Sequence, residues 1–278
     1  MTRFNKEALE RANVNSATKY ALIGLVIGFF LILVLFPIGS MFLYSAGGGF
    51  GAFIENITSP AALFSLKFSI ILALTTTVCN VAIGTLVAFV LVRYTFFGKN
   101  VLNALVDLPI AIPTAVTGFT LLLLYGPMGM AGGFLARHGI NIMFAFPGIL
   151  LAHIFITFPF VVRAVGAVLE GVEASYEEAA KTLGASGLQV FRYVTLPSIM
   201  PGLVSGSILS FARSLGEFGA TIMVSGNLAM NTQTAPLYIF SRFNSGDLEG
   251  ASAVAMILAI VSFAMLYILK TLTEGGEK

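Results

Sequence analysis

Apolar and polar positions alternate along this chain in long blocks. Tyr20 to Ile54 carries no charge, and its apolar heart runs from Tyr20 to Tyr44. Phe68 to Val92, Leu108 to Ala136, Tyr193 to Ala212 and Gly250 to Leu269 are also uncharged. Gly139 to Val162 holds only His153. A hydrocarbon layer of about 30 Å takes about 20 apolar residues as helix, and backbone inside it must satisfy its own hydrogen bonds. The pattern predicts six membrane-spanning helices over residues 20–44, 63–92, 101–125, 143–166, 199–224 and 250–270. The expected organisation is a short N-terminal segment (1–19), a six-helix domain (20–270) and a tail (271–278). The first block is longer than the core of a signal peptide, and Phe36-Pro37 is no small-residue cleavage site, so it is expected to be retained.

Two spans are irregular. The third contains Pro109 and Pro113, each of which removes a backbone donor and crowds the preceding turn. An interrupted helix at membrane depth belongs where it is buried in protein or lines a cavity; a kink near a helix start is the plainer reading. Asp107 is expected to cap a helix start there. The fifth span carries a polar stripe. At about 100° per residue, Ser207, Ser210, Arg213, Ser214, Glu217 and Thr221 fall in one sector of about 120°, with Phe211, Leu215, Phe218 and Ile222 opposite. Charges facing lipid are costly, so the stripe is expected to turn towards protein or a wet cavity. Arg213 and Glu217 are four apart and can pair. The plainer reading of this pair is structural, an ion pair that fixes packing.

Composition agrees with this layout. Apolar residues make up 57% and charged residues 10%, which excludes a soluble globular enzyme, a disordered chain and a nucleic-acid binder. Cys79 is the one cysteine, and His138 and His153 stand at no metal-ligand spacing, so neither a disulfide framework nor a metal site is expected. His153 and Cys79 read as packing residues. Lysines and arginines set the orientation. With the N-terminus inside, Arg3, Lys6, Arg11, Lys19, Arg93, Lys99, Arg163, Lys181, Arg192, Lys270 and Lys278 are cytoplasmic. Lys67, Arg137 and Arg242 are outside, and Arg213 is in the membrane. Both termini are therefore expected in the cytoplasm. The glycine-rich outer segments Gly47-Gly48-Gly49 and Gly126 to Gly139 read as flexible connections. Neither they nor Gly98-Lys99-Asn100 match a nucleotide-binding loop, so no ATP site is expected in this chain.

The inner segment 170–198 is long enough for structure of its own. Ser175-Tyr176-Glu177-Glu178 reads as a capping box. Ala179, Ala180, Lys181 and Leu183 favour helix, and Gly184 is suited to end it in a left-handed conformation. Ser186-Gly187-Leu188-Gln189 offers a second, weaker box for a second short helix over 186–193. Pro197 and Pro201 bracket the start of span five. The expected motif is helix, sharp glycine turn, helix, with Ala179 and Ala180 leaving a thin surface for close packing.

Glu178-Ala179-Ala180, Gly184 four positions on, and Val194-Thr195-Leu196-Pro197 resemble the cytoplasmic E-A-A-x3-G-x9-I-x-L-P motif of bacterial ABC-importer permeases, with Val194 in place of isoleucine. Asp107-Leu108-Pro109 through Ile112-Pro113-Thr114-Ala115-Val116, Phe160 to Arg163, Tyr176 to Ala180, Thr182 to Ala185 and Arg213 to Ala220 are similar to the T-type permease subunit of sulfate/thiosulfate importers. The likeness runs from about residue 60 to 270.

The resemblance implies an all-α polytopic membrane protein of the type I ABC-importer kind with a cytoplasmic coupling-helix loop. It also implies an assembly. Its partners would be a related W-type permease, two copies of a separate ATPase that binds the ATP, and a substrate-binding protein, all in a bacterial cytoplasmic membrane. Glu178, Ala179, Ala180, Gly184, Leu196 and Pro197 would couple to the ATPase, and Ser207, Ser210, Arg213, Ser214, Glu217 and Thr221 would line the translocation route or gate, or meet the partner permease. One reading then has Arg213 easing an oxyanion through while Glu217 keeps it from lodging; the other is an ion pair that fixes packing or a closed gate. The alternatives are a molybdate or tungstate permease of the same architecture, and an ion-coupled secondary transporter, for which ionisable residues near the midplane of several spans would be expected. No cofactor of the chain's own and no enzyme motif are found.

Overall fold

The computed structural model describes residues 16–274, and the described residues form helices joined by turns and short irregular segments, with no strand. The outermost charges of the predicted termini (Arg3, Lys6, Arg11 and Lys278) lie outside them. Helix α1 (Ser16–Phe30) runs through a π turn (Leu31–Leu35) into α2 (Phe36–Ser45). Helices α3 (Gly49–Thr58) and α4 (Pro60–Arg93) follow, then α5 (Lys99–Ala111), α6 (Thr114–Tyr125) and α7 (Met130–Arg137). The rest comprises α8 (Phe146–Gly171), α9 (Ala174–Thr182), α10 (Gly187–Val190), a second π turn (Phe191–Thr195), α11 (Leu196–Leu215), α12 (Gly219–Val224), α13 (Ala235–Asn244) and α14 (Leu248–Glu274). Prolines mark the starts. Pro60, Pro147 and Pro236 each sit in the first turn of a helix, where the missing N–H would have had no partner anyway, whereas Pro37 and Pro197 directly follow the two π turns inside continuous helical rods.

Five stretches are long and apolar enough to cross a membrane: Thr18–Ser45, Pro60–Arg93, Phe146–Gly171, Gly187–Leu215 and Leu248–Tyr267. The third expected span departs from a single rod. It is the pair α5 and α6, bent by 110° at Ile112-Pro113. Ile112 is extended (φ −84°, ψ 132°), the conformation that a following proline imposes on its neighbour. The fifth span also breaks. Its helix stops at Leu215, and Gly216 to Phe218 separate it from α12. The helical wheel drawn through Glu217 and Thr221 therefore fails beyond Leu215. Of the two glycine segments, Gly47-Gly48-Gly49 is the turn into α3, while Gly126 to Gly139 holds a helix of its own, α7, and a Cβ on Gly132 would run into the carbonyls of Tyr125 and Gly126.

Helices α4, α8 and α11 form the core. Their halves next to the 170–198 segment enclose Ala88, Leu91, Val161, Val165, Ile199 and Leu203. The opposite halves of α4 and α8, with α12, enclose Leu72, Ile149, Ile156, Ala220 and Val224. Small residues bring the backbones together. A Cβ on Gly84 would lie 2.9 Å from Val161 Cβ, and one on Gly206 would lie 2.9 Å from Val161 Cα. In lipid, where water does not drive helices together, such close approach is a main source of association. The two broken spans also meet. A Cβ on Gly118 would come within 2.7 Å of Ala220 Cα, and one on Gly219 would collide with Thr114 Oγ1. The first turn of α6 is thereby seated on the first turn of α12.

Candidate coupling loop and polar seam

The inner loop folds as a bent pair of helices, with local differences from expectation. Helix α9 starts at Ala174 with Glu173 as its N-cap, so Ser175 lies inside the first turn. Its hydroxyl donates to Glu173 Oε2 (2.9 Å) instead of capping the backbone. Gly184 has φ +89°. The Gly184 N–H donates to Lys181 O (2.9 Å) and the Ala185 N–H to Ala180 O (3.0 Å), the two bonds of a Schellman ending. The second box is reciprocal: Ser186 N–H donates to Gln189 Oε1 (2.7 Å) and Gln189 N–H to Ser186 Oγ (3.4 Å). It opens α10, which is not a separate helix over 186–193. It continues through the π turn into α11, so Leu196 and Pro197 belong to one helical rod from Gly187 to Leu215.

The residue that fastens this loop is Glu177, which sequence reading passed over for its neighbour. Glu177 is buried while Glu178 and Ala179 are exposed and Ala180 is half-buried. Glu177 Oε1 accepts from Arg93 Nε (3.2 Å), Arg93 Nη2 (3.1 Å) and Thr195 Oγ1 (3.0 Å). Arg93 Nη2 also donates to Val172 O (3.1 Å). One carboxylate thus joins α9 to the end of α4 and the start of α11. The opposite side of the loop presents Leu183 (89% exposed), Leu188 (77%) and Tyr193 (70%) to the surroundings.

The polar stripe of span five points mostly into the subunit. Ser210 and Ser214 are buried, as are Glu217 and Thr221 beyond the helix end. Phe211 and Leu215, expected on the far side, are buried as well, against Ala73. Asn80 Nδ2 donates to Thr157 Oγ1 (2.7 Å) and Ser210 Oγ (3.0 Å), which joins α4, α8 and α11 in mid-core. His153 Nδ1 is hydrogen-bonded to Ser214 Oγ and Nε2 to Thr221 Oγ1, both at 2.8 Å. The histidine spans the break in the fifth span from α8. Glu217 Oε1 accepts from Ala220 N–H (2.8 Å), and Oε2 lies 2.6 Å from Arg213 Nη1. Of the six stripe residues, Arg213 (35% of its side chain exposed) and the half-buried Ser207 reach the surface of the subunit; Ser207 Oγ donates to Leu203 O (2.6 Å).

Asp107 does not cap a helix. It lies within α5 and binds Arg163 of α8 with both oxygens, at 2.7 Å from Nε and 2.6 Å from Nη2. Arg163 also donates to Asn103 Oδ1 (2.8 Å) and Asn103 O (2.9 Å). The first half of the broken span, α5, is fixed to α8 in this way.

The family described as "Binding-protein-dependent transport system inner membrane component" matches residues 80–274. The chain is 40% identical to the sulfate transport system permease protein CysT of Salmonella typhimurium and 41% identical to that of Escherichia coli, in each case over 88% of this chain and 88% of the relative. It is 41% identical to sulfate permease 2, chloroplastic, of Chlamydomonas reinhardtii, over 95% of this chain and 71% of the relative. In fold it is similar to a bacterial ABC transporter involved in the import of the acidic polysaccharide alginate. That match has a TM-score of 0.80 and 17% identity, and covers 98% of this chain and 100% of that one. A second structure of a bacterial alginate ABC transporter, in complex with alginate pentasaccharide-bound periplasmic protein, matches with a TM-score of 0.77 and 17% identity, over 91% and 93% of the two chains.

Proposed function

The chain belongs to the binding-protein-dependent transport system inner membrane component family, and from that membership we propose that it is the T-type permease subunit of an ATP-driven importer of sulfate and thiosulfate. The fold is that of a type I ABC-importer permease. The names of the relatives favour sulfate over molybdate. A related W-type permease completes the pathway, two ATPase copies bind the ATP below, and a binding protein delivers the anion from outside. The assembly sits in a bacterial cytoplasmic membrane with both termini inside.

The observation that carries the mechanism is the three-way hold on Glu177. Helix α9, the end of α4 and the rod from Gly187 to Leu215 meet on one buried carboxylate. Force applied to the loop by an ATPase is then delivered to two spans together, and the rod carries it to the break at Gly216 to Phe218. Glu178, Ala179 and Ala180 of α9, with Gly184 at the turn, form the docking element; Leu196 and Pro197 lie within the rod that it drives. Interfaces of this kind move as rigid bodies between two discrete packings. Arg213, Ser207 and the adjoining break form the gate on the pathway. Of the two readings of Arg213 and Glu217, the structural ion pair is favoured, because Glu217 also caps α12 and is closed off from the surface.

The test is labelled-sulfate uptake in vesicles holding the whole assembly, with binding protein and ATP, comparing wild type with Gly184→Asp. Uptake should need ATP and should fall at least tenfold in the variant. Sulfate uptake that persists without ATP would overturn the importer reading.

A further inference from the structure

Beside the coupling loop lies a groove of about 670 Å³ that the transport reading leaves without a role. It runs between the cytoplasmic part of α4 and the rod of α10 and α11. Its walls are apolar: Val81, Leu86, Phe89, Phe191 and Leu203. Its mouth holds Tyr94, Glu177 and Lys181. From Val81 to Phe89 the groove follows α4 for about 12 Å, close to the roughly 15 Å depth of one leaflet of a 30 Å hydrocarbon layer. Tyr94, just past Phe89, stacks edge-on to it (6.1 Å), and the neighbouring Phe97 is fully exposed. Exposed aromatic rings at the end of a span mark the level of the lipid headgroups.

The mouth carries a net positive charge. The Glu177 carboxylate is taken up by Arg93 and Thr195. Lys181 lies one turn further along α9, on the same side as Glu177, and its ammonium has no ion-pair partner among the described residues. An apolar slot of leaflet depth, open to the side and ending at a free cation, has the shape and charge of an anionic phospholipid.

We propose that this groove seats one anionic phospholipid of the cytoplasmic leaflet, with an acyl chain along α4 between Val81 and Phe89 and its phosphate on Lys181. The lipid would rest against the face of the loop opposite to the ATPase, so that membrane charge bears on coupling. The proposal rests on the functional reading only for placing this loop at the cytoplasmic face.

The test uses the complete assembly in nanodiscs doped with photoactivatable phosphatidylglycerol or phosphatidylcholine carrying a diazirine in the acyl chain. Peptides holding residues 81–94 and 187–203 should be labelled by the phosphatidylglycerol probe, and much less by the phosphatidylcholine probe. Removing one basic residue at the membrane surface weakens anionic-lipid binding about fivefold, so Lys181→Gln should lower the phosphatidylglycerol label by about that factor. Lys181→Arg should keep it. Equal labelling by the two probes would reduce the groove to ordinary boundary lipid and overturn the proposal. So would labelling indifferent to Lys181→Gln, or crosslinks that show the groove filled by a neighbouring subunit. Labelling is read without transport, so failed sulfate uptake would count against the importer reading and leave this one standing.

Discussion

Glu177 and Arg93 are 84 positions apart and meet in a two-pronged bond, with both Nε and Nη2 of the arginine on one carboxylate oxygen at 3.2 and 3.1 Å. Both side chains are largely closed off, at 14% and 9% exposure. Removing one partner of such a pair leaves a charge without compensation, which costs more than the pair itself contributes. Glu177→Ala should therefore lower the stability of the assembled permease by about 2–3 kcal/mol. It should also loosen α9 from α4, so that ATP hydrolysis continues while sulfate uptake falls. Glu178→Ala, at the exposed neighbour, should leave stability within about 0.5 kcal/mol. Thermal unfolding of the two variants in detergent, with ATPase and uptake rates side by side, checks both halves.

Gly184 allows a cleaner experiment, because nothing lies within 4 Å of where its Cβ would be. Any substitution there is felt through the backbone alone. At φ +89°, an alanine should cost about 1–2 kcal/mol, and asparagine, which tolerates the left-handed region, less than alanine. The order glycine, asparagine, alanine should appear in coupling efficiency, measured as sulfate moved per ATP hydrolysed. An order that followed side-chain size instead would point to a steric contact with the ATPase as the cause.

Much of this loop was legible in the sequence because its devices are local. A glycine at the end of a helix and a serine three before a glutamine each act within one turn, and Gly184 and the Ser186–Gln189 box stand where they were expected. Apolar runs longer than a bilayer likewise announce themselves, and four of the six spans run close to their predicted bounds. The misses have a different character. Glu177 outranks Glu178 because of Arg93 and Thr195, which no local pattern connects to it. Asp107 binds Arg163 across 56 positions. The break after Leu215 had a local signal in Gly216 and Gly219, since glycine weakens a helix interior. The regular spacing of polar residues through it concealed that signal.

His153 should be the most sensitive uncharged position in the core. Its two ring nitrogens hold Ser214 and Thr221, one on each side of the break in the fifth span. His153→Phe fills similar space but leaves the buried Ser214 hydroxyl without its partner and Thr221 with only its 3.3 Å bond to Glu217 O, at about 1–3 kcal/mol for each bond lost. A fall in melting temperature with uptake reduced is expected. His153→Gln, which keeps a donor and an acceptor, should recover part of both. Equal damage from Phe and Gln would mean that ring shape, not the bridging bonds, holds the break together.

Arg213 and Glu217 separate the two pathway readings by a double-mutant cycle. Arg213→Ala strands Glu217, which is 1% exposed, beside a single remaining bond to Ala220 N–H. A buried charge that loses its partner costs about 3–5 kcal/mol. Arg213→Ala should accordingly destabilise strongly, and Glu217→Gln, which leaves the half-exposed arginine with water in reach, less. The combined Arg213→Ala/Glu217→Gln chain should be more stable than Arg213→Ala alone, since no charge is left stranded. If the pair only fixes the shape of the gate, sulfate uptake should recover along with stability in the double variant. If Arg213 draws the anion through, stability should return while uptake stays low. Unfolding temperature and initial uptake rate, measured on all four chains in the same vesicles, decide between these outcomes.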